Sequence, residues 1–303
     1  MYDLAIIGSG PAGLCASVYS SRYEVNNIVI GEISGGLTTE THEIGNWLGT
    51  EKITGFEFAT NAANHVKSLG AEIKNISVDQ VSKKGEDFEL LLSDGGTVRS
   101  KAILLSMGTK HRHLGIPGEK ELAGKGVSYC ATCDGFFYKD KIVAVVGGSD
   151  SAASSAVHLS NVARKVYVIY RGDDLRAESF WKRSIENNSK IEVIYNTNVK
   201  EVIGDDKLTE ILLDSSYNDS DKLKIDGIFI EIGLVPSTDI IKDMGIDLDE
   251  EGYIKVETDG RTNISGVWAA GDITSGSNKF KQIITAASEG AIAASGIQAY
   301  LQR

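Results

Sequence analysis

One pattern of apolar and small residues occurs twice along the chain. Leu4-Ala5-Ile6-Ile7 is a short unbroken apolar run, followed by Gly8-Ser9-Gly10-Pro11-Ala12-Gly13 and then by an alanine- and serine-rich stretch from Leu14 to Ser21. An unbroken apolar run closed by glycines predicts a parallel strand buried on both faces, and the stretch after it predicts a helix. Asn27-Ile28-Val29-Ile30 predicts the next strand. The pattern returns at Lys141–Val146, with Gly147-Gly148-Ser149-Asp150-Ser151-Ala152 as the turn, a helix through about Asn161, and a strand over Lys165–Tyr170. Near the C-terminus, Ile264 to Ala270 predicts a strand ending at Gly271-Asp272. Gln282 to Leu301, rich in alanine and isoleucine, predicts a long buried helix.

The first turn has the G-x-G-x-x-G spacing in the setting that spacing needs, after a strand and before a helix. Gly8 permits the tight turn, Gly10 lets backbone approach a pyrophosphate, and Gly13 lets the helix sit close to the strand. Free N–H groups at the helix start favour the phosphates. Glu32 stands 24 residues after Gly8, where an acid accepts hydrogen bonds from ribose hydroxyls. In the second turn Ser149 replaces the middle glycine. Arg171, 24 residues after Gly147, stands where the acid would be, with Arg176 beyond it. A basic residue there suits a 2′-phosphate and so NADP rather than NAD. Asp272, at the end of a strand, lies where doubly wound sheets bind ligands and could meet ribityl hydroxyls; its plainer reading is a turn or cap residue. One acidic and one basic dinucleotide unit together suggest a flavin enzyme that also takes a nicotinamide donor. The expected fold class is α/β, with two Rossmann-like dinucleotide-binding domains. The FAD-binding domain, residues 1–112 and 241–303, is interrupted by an inserted NAD(P)H domain, residues 113–240, that carries a C-x-x-C pair.

Length and charge narrow the picture. A chain of 303 residues suggests about two domains, since a single core rarely grows past ~250 residues. A net charge of -11 repels nucleic acid and anionic membranes, so neither is an expected partner. The start of the chain has no basic region followed by an apolar core, and no run reaches the ~18 apolar residues of a membrane span. The expected location is cytoplasmic.

Three cysteines in a cytosolic chain are too few for a disulfide framework. Cys130-Ala131-Thr132-Cys133 has the spacing of an exchangeable disulfide, whose thiolate form is the nucleophile. Asp134 follows directly and could move a proton to or from a leaving thiol; its alternative is a turn or cap residue. The rival for the pair is zinc, with His111 and His113 completing four ligands. Cys15, inside the first helix, reads as a small buried residue. The pair and the nicotinamide loop both fall in the inserted domain, so a domain rotation that alternates them at one flavin is expected.

These features in this order resemble the low-molecular-weight, bacterial-type thioredoxin reductases. The resemblance rests on Gly8 to Gly13, Gly35-Gly36 through Glu43, Asn46-Trp47, Cys130 to Asp134, Ala270-Gly271-Asp272, and Gln282 with Thr285-Ala286-Ala287. It implies FAD held noncovalently by the first domain, NADPH as donor, thioredoxin or a thioredoxin-like protein as disulfide partner, and a homodimer. The FAD contacts it implies are Gly8, Ser9, Gly10, Pro11, Ala12 and Gly13; Gly31, Glu32, Gly36, Leu37, Thr38, Thr41 and Asn46; Val78, Ser106, Met107 and Gly108; and Gly271, Asp272, Lys281, Gln282 and Ile283. For NADPH it implies Gly148, Ser149, Asp150, Ser151, Tyr170, Arg171, Arg176 and Gly233. No metal is implied. Cys130 would attack the partner's disulfide, Cys133 would lie nearer the flavin and resolve the mixed disulfide, and Asp134 would be the acid/base.

The chain departs from the family pattern in several places. Tyr170-Arg171-Gly172, with Arg176, stands where the family has His-Arg-Arg and a further arginine. Ser149 replaces a glycine, Leu37 a glutamine, and Lys281 an arginine. The loop Thr274 to Phe280 is slightly longer. These changes bear on the electron donor, leaving NADH or ferredoxin as alternatives to NADPH. A dithiol oxidase, a flavoprotein redox sensor and a zinc-stabilised binding module are the remaining classes.

Overall fold

The computed structural model describes residues 1–41 and 44–302; His42 and Glu43 lie outside them. The chain forms two compact units, Met1–Lys110 with Val235–Arg303, and His111–Leu234. The divisions fall at 110/111 and 234/235, a few residues before the positions read from the sequence.

Along the chain run β1 (Tyr2–Ile7), α1 (Pro11–Arg22), β2 (Asn27–Ile30), α2 (Gly55–Ser68), β3 (Glu72–Lys74), β4 (Val78–Lys84), β5 (Asp87–Leu92), β6 (Thr97–Leu105) and β7 (Thr109–His111). Then come β8 (Val127–Ser128), α3 (Ala131–Asp134), β9 (Ile142–Val146), α4 (Asp150–Ser160), β10 (Lys165–Ile169), α5 (Ser179–Glu186), β11 (Ile191–Ile194), β12 (Val199–Gly204), β13 (Leu208–Tyr217), β14 (Ser220–Lys224) and β15 (Gly227–Ile230). The chain ends with β16 (Leu234–Pro236), β17 (Val267–Ala269) and α6 (Ile283–Leu301). At the two crossings β7 pairs with β16.

The first unit is built on a sheet of order β3-β2-β1-β6-β5-β4. Strands β3, β2, β1 and β6 run parallel, and β4 and β5 extend β6 as an antiparallel meander. β6 is long enough to serve two neighbours on one edge: its first half pairs with β5, and Ile103–Leu105 pair in parallel with Val267–Ala269 of β17. Leu4, Ala5, Ile6 and Ile7 are all buried, as an unbroken apolar run predicts for a strand covered on both faces. On one face Leu4 and Ile6 join Leu14 and Ala16 of α1 and Ala293, Ala294 and Ile297 of α6. α2 starts on a capping box in which the Thr54 side chain accepts from the Glu57 N–H and the Glu57 carboxylate accepts from the Thr54 N–H, satisfying two otherwise free donors.

The second unit has a fully parallel sheet, β11-β10-β9-β15-β8, and a separate antiparallel sheet, β12-β13-β14. Val143, Val145, Val166 and Val168 face α4 and α5, while Ala144, Val146 and Ile169 pack with the residues of β12 and β13. The parallel sheet is thus covered on both sides, one by helices and one by the small sheet. Among the described residues no helix is long and apolar enough to cross a membrane.

Candidate active site

In each unit the strand order reverses around the first strand of the repeated pattern. β1 lies between β2 and β6, and β9 lies between β10 and β15. Ligands of doubly wound sheets bind just beyond the carboxyl ends of such strands, and each unit has a cavity there.

The first turn is set by contacts between backbones. Gly8 has φ +111, and a Cβ on it would lie 2.2 Å from the Ser106 carbonyl oxygen. A Cβ on Gly13 would lie 2.0 Å from the Gly8 carbonyl oxygen, so α1 seats directly against the turn. Gly10 is different: a Cβ there would meet no heavy atom within 4 Å, because it faces open space. Gly10 is also the N-cap of α1 and supplies no side-chain cap, which directs the first free N–H groups of the helix at that space.

The cavity beyond this turn has a volume of about 470 Å³. It is lined by Gly8, Ser9, Gly10, Pro11, Ala12, Gly31, Glu32, Gly36, Leu37 and Thr38. Val78, Ser106, Met107, Gly108, Gly271, Asp272 and Ile283 complete the sequence-derived set at its wall. The Glu32 carboxylate accepts from the Ser77 hydroxyl. Burial pushes the Asp272 carboxyl above the usual carboxylate range, with Lys281 opposing the shift and Glu289 adding to it. Five residues of the set stand off the wall. Gly13 packs α1. The Thr41 carbonyl accepts from the Gly55 N–H at 2.9 Å. Asn46 Nδ2 donates to Gln282 Oε1 at 2.9 Å. Lys281 Nζ donates to the carbonyls of Asp272 and Thr274 at 2.8 and 2.9 Å and lies 4.2 Å from the Tyr253 ring centroid.

Sequence reasoning missed Glu289. Its Oε2 accepts from the Gly271 N–H at 2.8 Å and the Thr274 hydroxyl at 2.9 Å, so a side chain of α6 holds the Gly-Asp turn in place. It also missed Ser77, Ser237, Asp239 and Ile240, which line the cavity. The partners of Glu289, 15 and 18 residues away, lie in a turn outside α6, so no pattern within one element marks them.

The second cavity, about 390 Å³, is lined by Gly148, Ser149, Tyr170, Arg171, Arg176 and Gly233, together with Arg112 and Glu231, which sequence reasoning missed. The Tyr170 ring packs against the glycine loop: a Cβ on Gly148 would lie 2.3 Å from a ring carbon, and one on Gly172 2.8 Å. Asp150 points elsewhere, its Oδ1 accepting the Glu178 N–H at 2.7 Å. The Arg176 N–H donates to the Gly148 carbonyl at 2.7 Å. These two bonds tie the arginine-bearing loop to the glycine turn. Ser151 is an exposed first-turn residue of α4 whose carbonyl accepts the Ser154 hydroxyl at 3.1 Å.

Cys130 and Cys133 form a disulfide with a Cα–Cα distance of 5.4 Å. Cys130 is the N-cap of the short helix α3, and its sulfur accepts the Cys133 N–H at 3.0 Å. A donor aimed at sulfur favours the thiolate once the bond is reduced. Cys130 is half-buried, Cys133 exposed and Asp134 half-buried. Phe136 and Phe137, three and four residues after Cys133, are 76% and 68% exposed. His113, one of the candidate zinc ligands, is instead 2.7 Å from the Tyr129 hydroxyl. Tyr129 donates to Glu119 at 2.8 Å, and the Glu119 carboxylate also accepts the N–H groups of Leu114, Gly115 and Ile116. Although its burial acts to raise the Glu119 pKa, these donors hold the carboxyl below the usual range. Cys15 is half-buried rather than fully buried, and burial pushes its thiol up to about 11.

The chain is similar to known proteins over its whole length. Residues 2–290 match the family model described as pyridine nucleotide-disulphide oxidoreductase. The thioredoxin reductase of Listeria innocua is 38% identical over all of this chain and 94% of its own length. The crystal structure of Lactococcus lactis thioredoxin reductase superposes with a TM-score of 0.93 at 35% identity, covering 100% of this chain and 99% of that one. The T. acidophilum thioredoxin reductase structure gives 0.90 at 36% identity, with 98% of each chain covered.

Proposed function

The chain belongs to the thioredoxin reductases, within the pyridine nucleotide-disulphide oxidoreductase family, and from this membership we propose that it passes electrons from NADPH through FAD to the Cys130–Cys133 disulfide and on to thioredoxin or a thioredoxin-like protein. The observation that carries the reading is the disulfide itself. It is exchangeable by its spacing, has a backbone donor on one sulfur, and belongs to a chain with two dinucleotide cradles.

Both cradles fit the groups the family implies. The open face at Gly10 and the uncapped start of α1 suit the FAD pyrophosphate, and Glu32 and Asp272 are acceptors placed for ribose and ribityl hydroxyls. The second cavity offers Arg171 and Arg176 to a 2′-phosphate and the start of α4 to a pyrophosphate. When bound, FAD supplies two-electron chemistry that links a nicotinamide hydride to a disulfide.

The protein's own part is thiol chemistry. After reduction, the Cys130 thiolate, held by the Cys133 N–H, attacks one sulfur of the partner's disulfide and displaces the other as a thiolate. Asp134 delivers the proton that thiolate takes up. Asp134, now a carboxylate, takes the proton of the Cys133 thiol; the Cys133 thiolate attacks the Cys130 sulfur, reforms the disulfide of the chain and displaces the second partner sulfur as a thiolate, which takes that proton from Asp134. Two electrons and two protons have moved to the partner. The exposed Phe136 and Phe137 provide apolar surface beside the pair for that partner. A homodimer in the cytoplasm is part of the same proposal.

The donor test is anaerobic. NADPH bleaches the flavin band at micromolar levels and NADH only at much higher concentration. No bleaching by either at millimolar levels overturns the NADPH assignment and transfers it to a donor such as reduced ferredoxin.

A further inference from the structure

The second cavity contains a carboxylate that a phosphate-binding site does not require. Glu231 follows β15 directly. Its N–H donates to the Val146 carbonyl at 2.8 Å, which pins it to the end of β9. Its Oε1 accepts the Ser155 hydroxyl of α4 at 2.8 Å, and it lines the cavity with Arg171, Arg176 and Ser149. A carboxylate so placed repels phosphate and can only accept hydrogen bonds, so whatever lies against it must be a donor.

Strand order says which part of a dinucleotide that is. The sheet runs β10-β9-β15. The two arginines follow β10, the glycine turn and the start of α4 follow β9, and Glu231 follows β15. A nucleotide laid across this edge puts its adenosine half at the arginines and its pyrophosphate at the turn. Its nicotinamide half then falls at Glu231. The donors there are ribose hydroxyls and the carboxamide N–H₂. Ribose hydroxyls can donate to a carboxylate, as proposed at Glu32, but that contact leaves the ring free to rotate. The carboxamide N–H₂ is donor only, and fixing it also fixes the rotation of the ring that carries the hydride.

We propose that Glu231 accepts the carboxamide N–H of the nicotinamide and so positions the ring, with Ser155 holding the carboxylate in place. A carboxylate has about four acceptor sites, so a bond from Ser155 to one oxygen is compatible with this contact. The inference rests on reading the second cavity as the NADPH site.

The test uses the full-length, flavin-loaded enzyme and equilibrium binding followed by calorimetry. The probes are NADP⁺, its 3-acetylpyridine analogue, which lacks the N–H₂, and 2′,5′-ADP, which lacks the nicotinamide half. The unaltered enzyme binds NADP⁺ about tenfold more tightly than the analogue, equivalent to about 1.4 kcal/mol. Glu231→Ala brings that ratio close to one while leaving 2′,5′-ADP affinity unchanged, which also shows that the site is folded. Glu231→Gln, which retains an acceptor oxygen, gives an intermediate ratio. If Glu231→Ala weakens NADP⁺ and the analogue equally, or leaves their ratio unchanged, the carboxamide contact is wrong. If the unaltered enzyme binds neither NADP⁺ nor 2′,5′-ADP, the reading of the cavity is wrong and the inference falls with it.

Discussion

The two strand–glycine–helix cradles follow one plan and differ at the second and third positions of the turn. In the first, Gly13 lets α1 seat 2.0 Å (as a would-be Cβ contact) from the Gly8 carbonyl, and Gly10 leaves the ligand face bare. In the second, Ala152 holds the third position and Ser149 the middle one, and the loop is completed by the Tyr170 ring lying on Gly148. The first turn is fixed by backbone against backbone, which admits one geometry. The second is partly fixed by a side chain, which can shift. A cradle of the first kind suits a cofactor that stays bound, and one of the second kind suits a nucleotide that must come and go.

The comparison presumes that both cradles serve the thiol pair, and the largest expected effect tests that. Cys133→Ser lowers thioredoxin-disulfide reduction at least about a thousandfold, as loss of a covalent participant commonly does. Flavin content and NADPH bleaching persist. Unchanged reductase activity sinks the proposed role of the pair and, with it, the shared purpose of the cradles. The same variant retains Cys130 and accumulates a mixed disulfide with thioredoxin, visible on a non-reducing gel. Cys130→Ser traps none if Cys130 is the attacking sulfur.

Next in size is the contrast between the helix seats. Gly13→Ala pushes a methyl into the Gly8 carbonyl and costs about 1–3 kcal/mol of overpacking strain, seen as a lower denaturation midpoint and loss of bound flavin. Ala152→Gly in the matching position of the second cradle costs about 1–2 kcal/mol, the helix penalty of glycine plus the loss of a buried methyl, and flavin content is unaffected. Equal effects at the two positions would erase the distinction drawn above.

What the sequence showed and what it concealed divide along the same physical line. Leu4–Ile7, Lys141–Val146 and the helices after them were legible because burial on both faces writes a continuous apolar run, and the run is closed by glycines whose conformation few other residues share. The strand at Val267–Ala269 was legible for the same reason. The antiparallel additions, β4 with β5 and β12 to β14, went unread: they alternate in short pieces between charged turns. Glu289 under Gly271, Glu119 under Tyr129 and Glu231 beside Ser155 were hidden for a different reason. Each is a long-range acceptor whose partners are set by the fold, and no local period marks it. Asp150 shows the converse. Its place in the turn suggested a nucleotide contact, yet its carboxylate is engaged by the Glu178 N–H.

The charge assignment separates the cradles further. If Arg171 holds the 2′-phosphate as proposed, Arg171→Ala removes a charge-assisted bond and raises the KM for NADPH about tenfold or more, in line with about 1.5–3 kcal/mol for such bonds. NADH kinetics stay within twofold. A parallel loss for both nucleotides places Arg171 on the fold rather than on the phosphate.

In the first cradle a charge that burial perturbs is Asp272. Burial raises its folded pKa above the unfolded value, so its contribution to stability is present below the unfolded pKa and lost as pH rises through the folded one. Asp272→Asn therefore raises the melting temperature of the flavin-free chain at pH 7, with the gain vanishing near pH 3. Its FAD affinity falls about tenfold, the cost of one hydrogen bond to a charged acceptor. A turn or cap residue would show the reverse, a loss of stability with FAD affinity intact.

The smallest effect addresses the bare face directly. Ser149 is the N-cap of α4 with extended backbone (φ -92, ψ -178) and makes no side-chain cap bond, so glycine can replace it without strain or loss of a cap. Its Cβ and hydroxyl stand at the wall of the second cavity, at the position where Gly10 leaves the first one open. If that side chain merely holds the pyrophosphate away from the N–H groups of α4, Ser149→Gly tightens NADP⁺ about two- to fivefold, within the range of a helix-terminus charge interaction. If the hydroxyl instead donates to the phosphate, the same change weakens binding by a similar factor. Titration of the pair of proteins with NADP⁺ at fixed ionic strength tells the two apart. A weaker Ser149→Gly variant would mean that the second cradle replaces a glycine with a hydroxyl donor, rather than being a looser copy of the first.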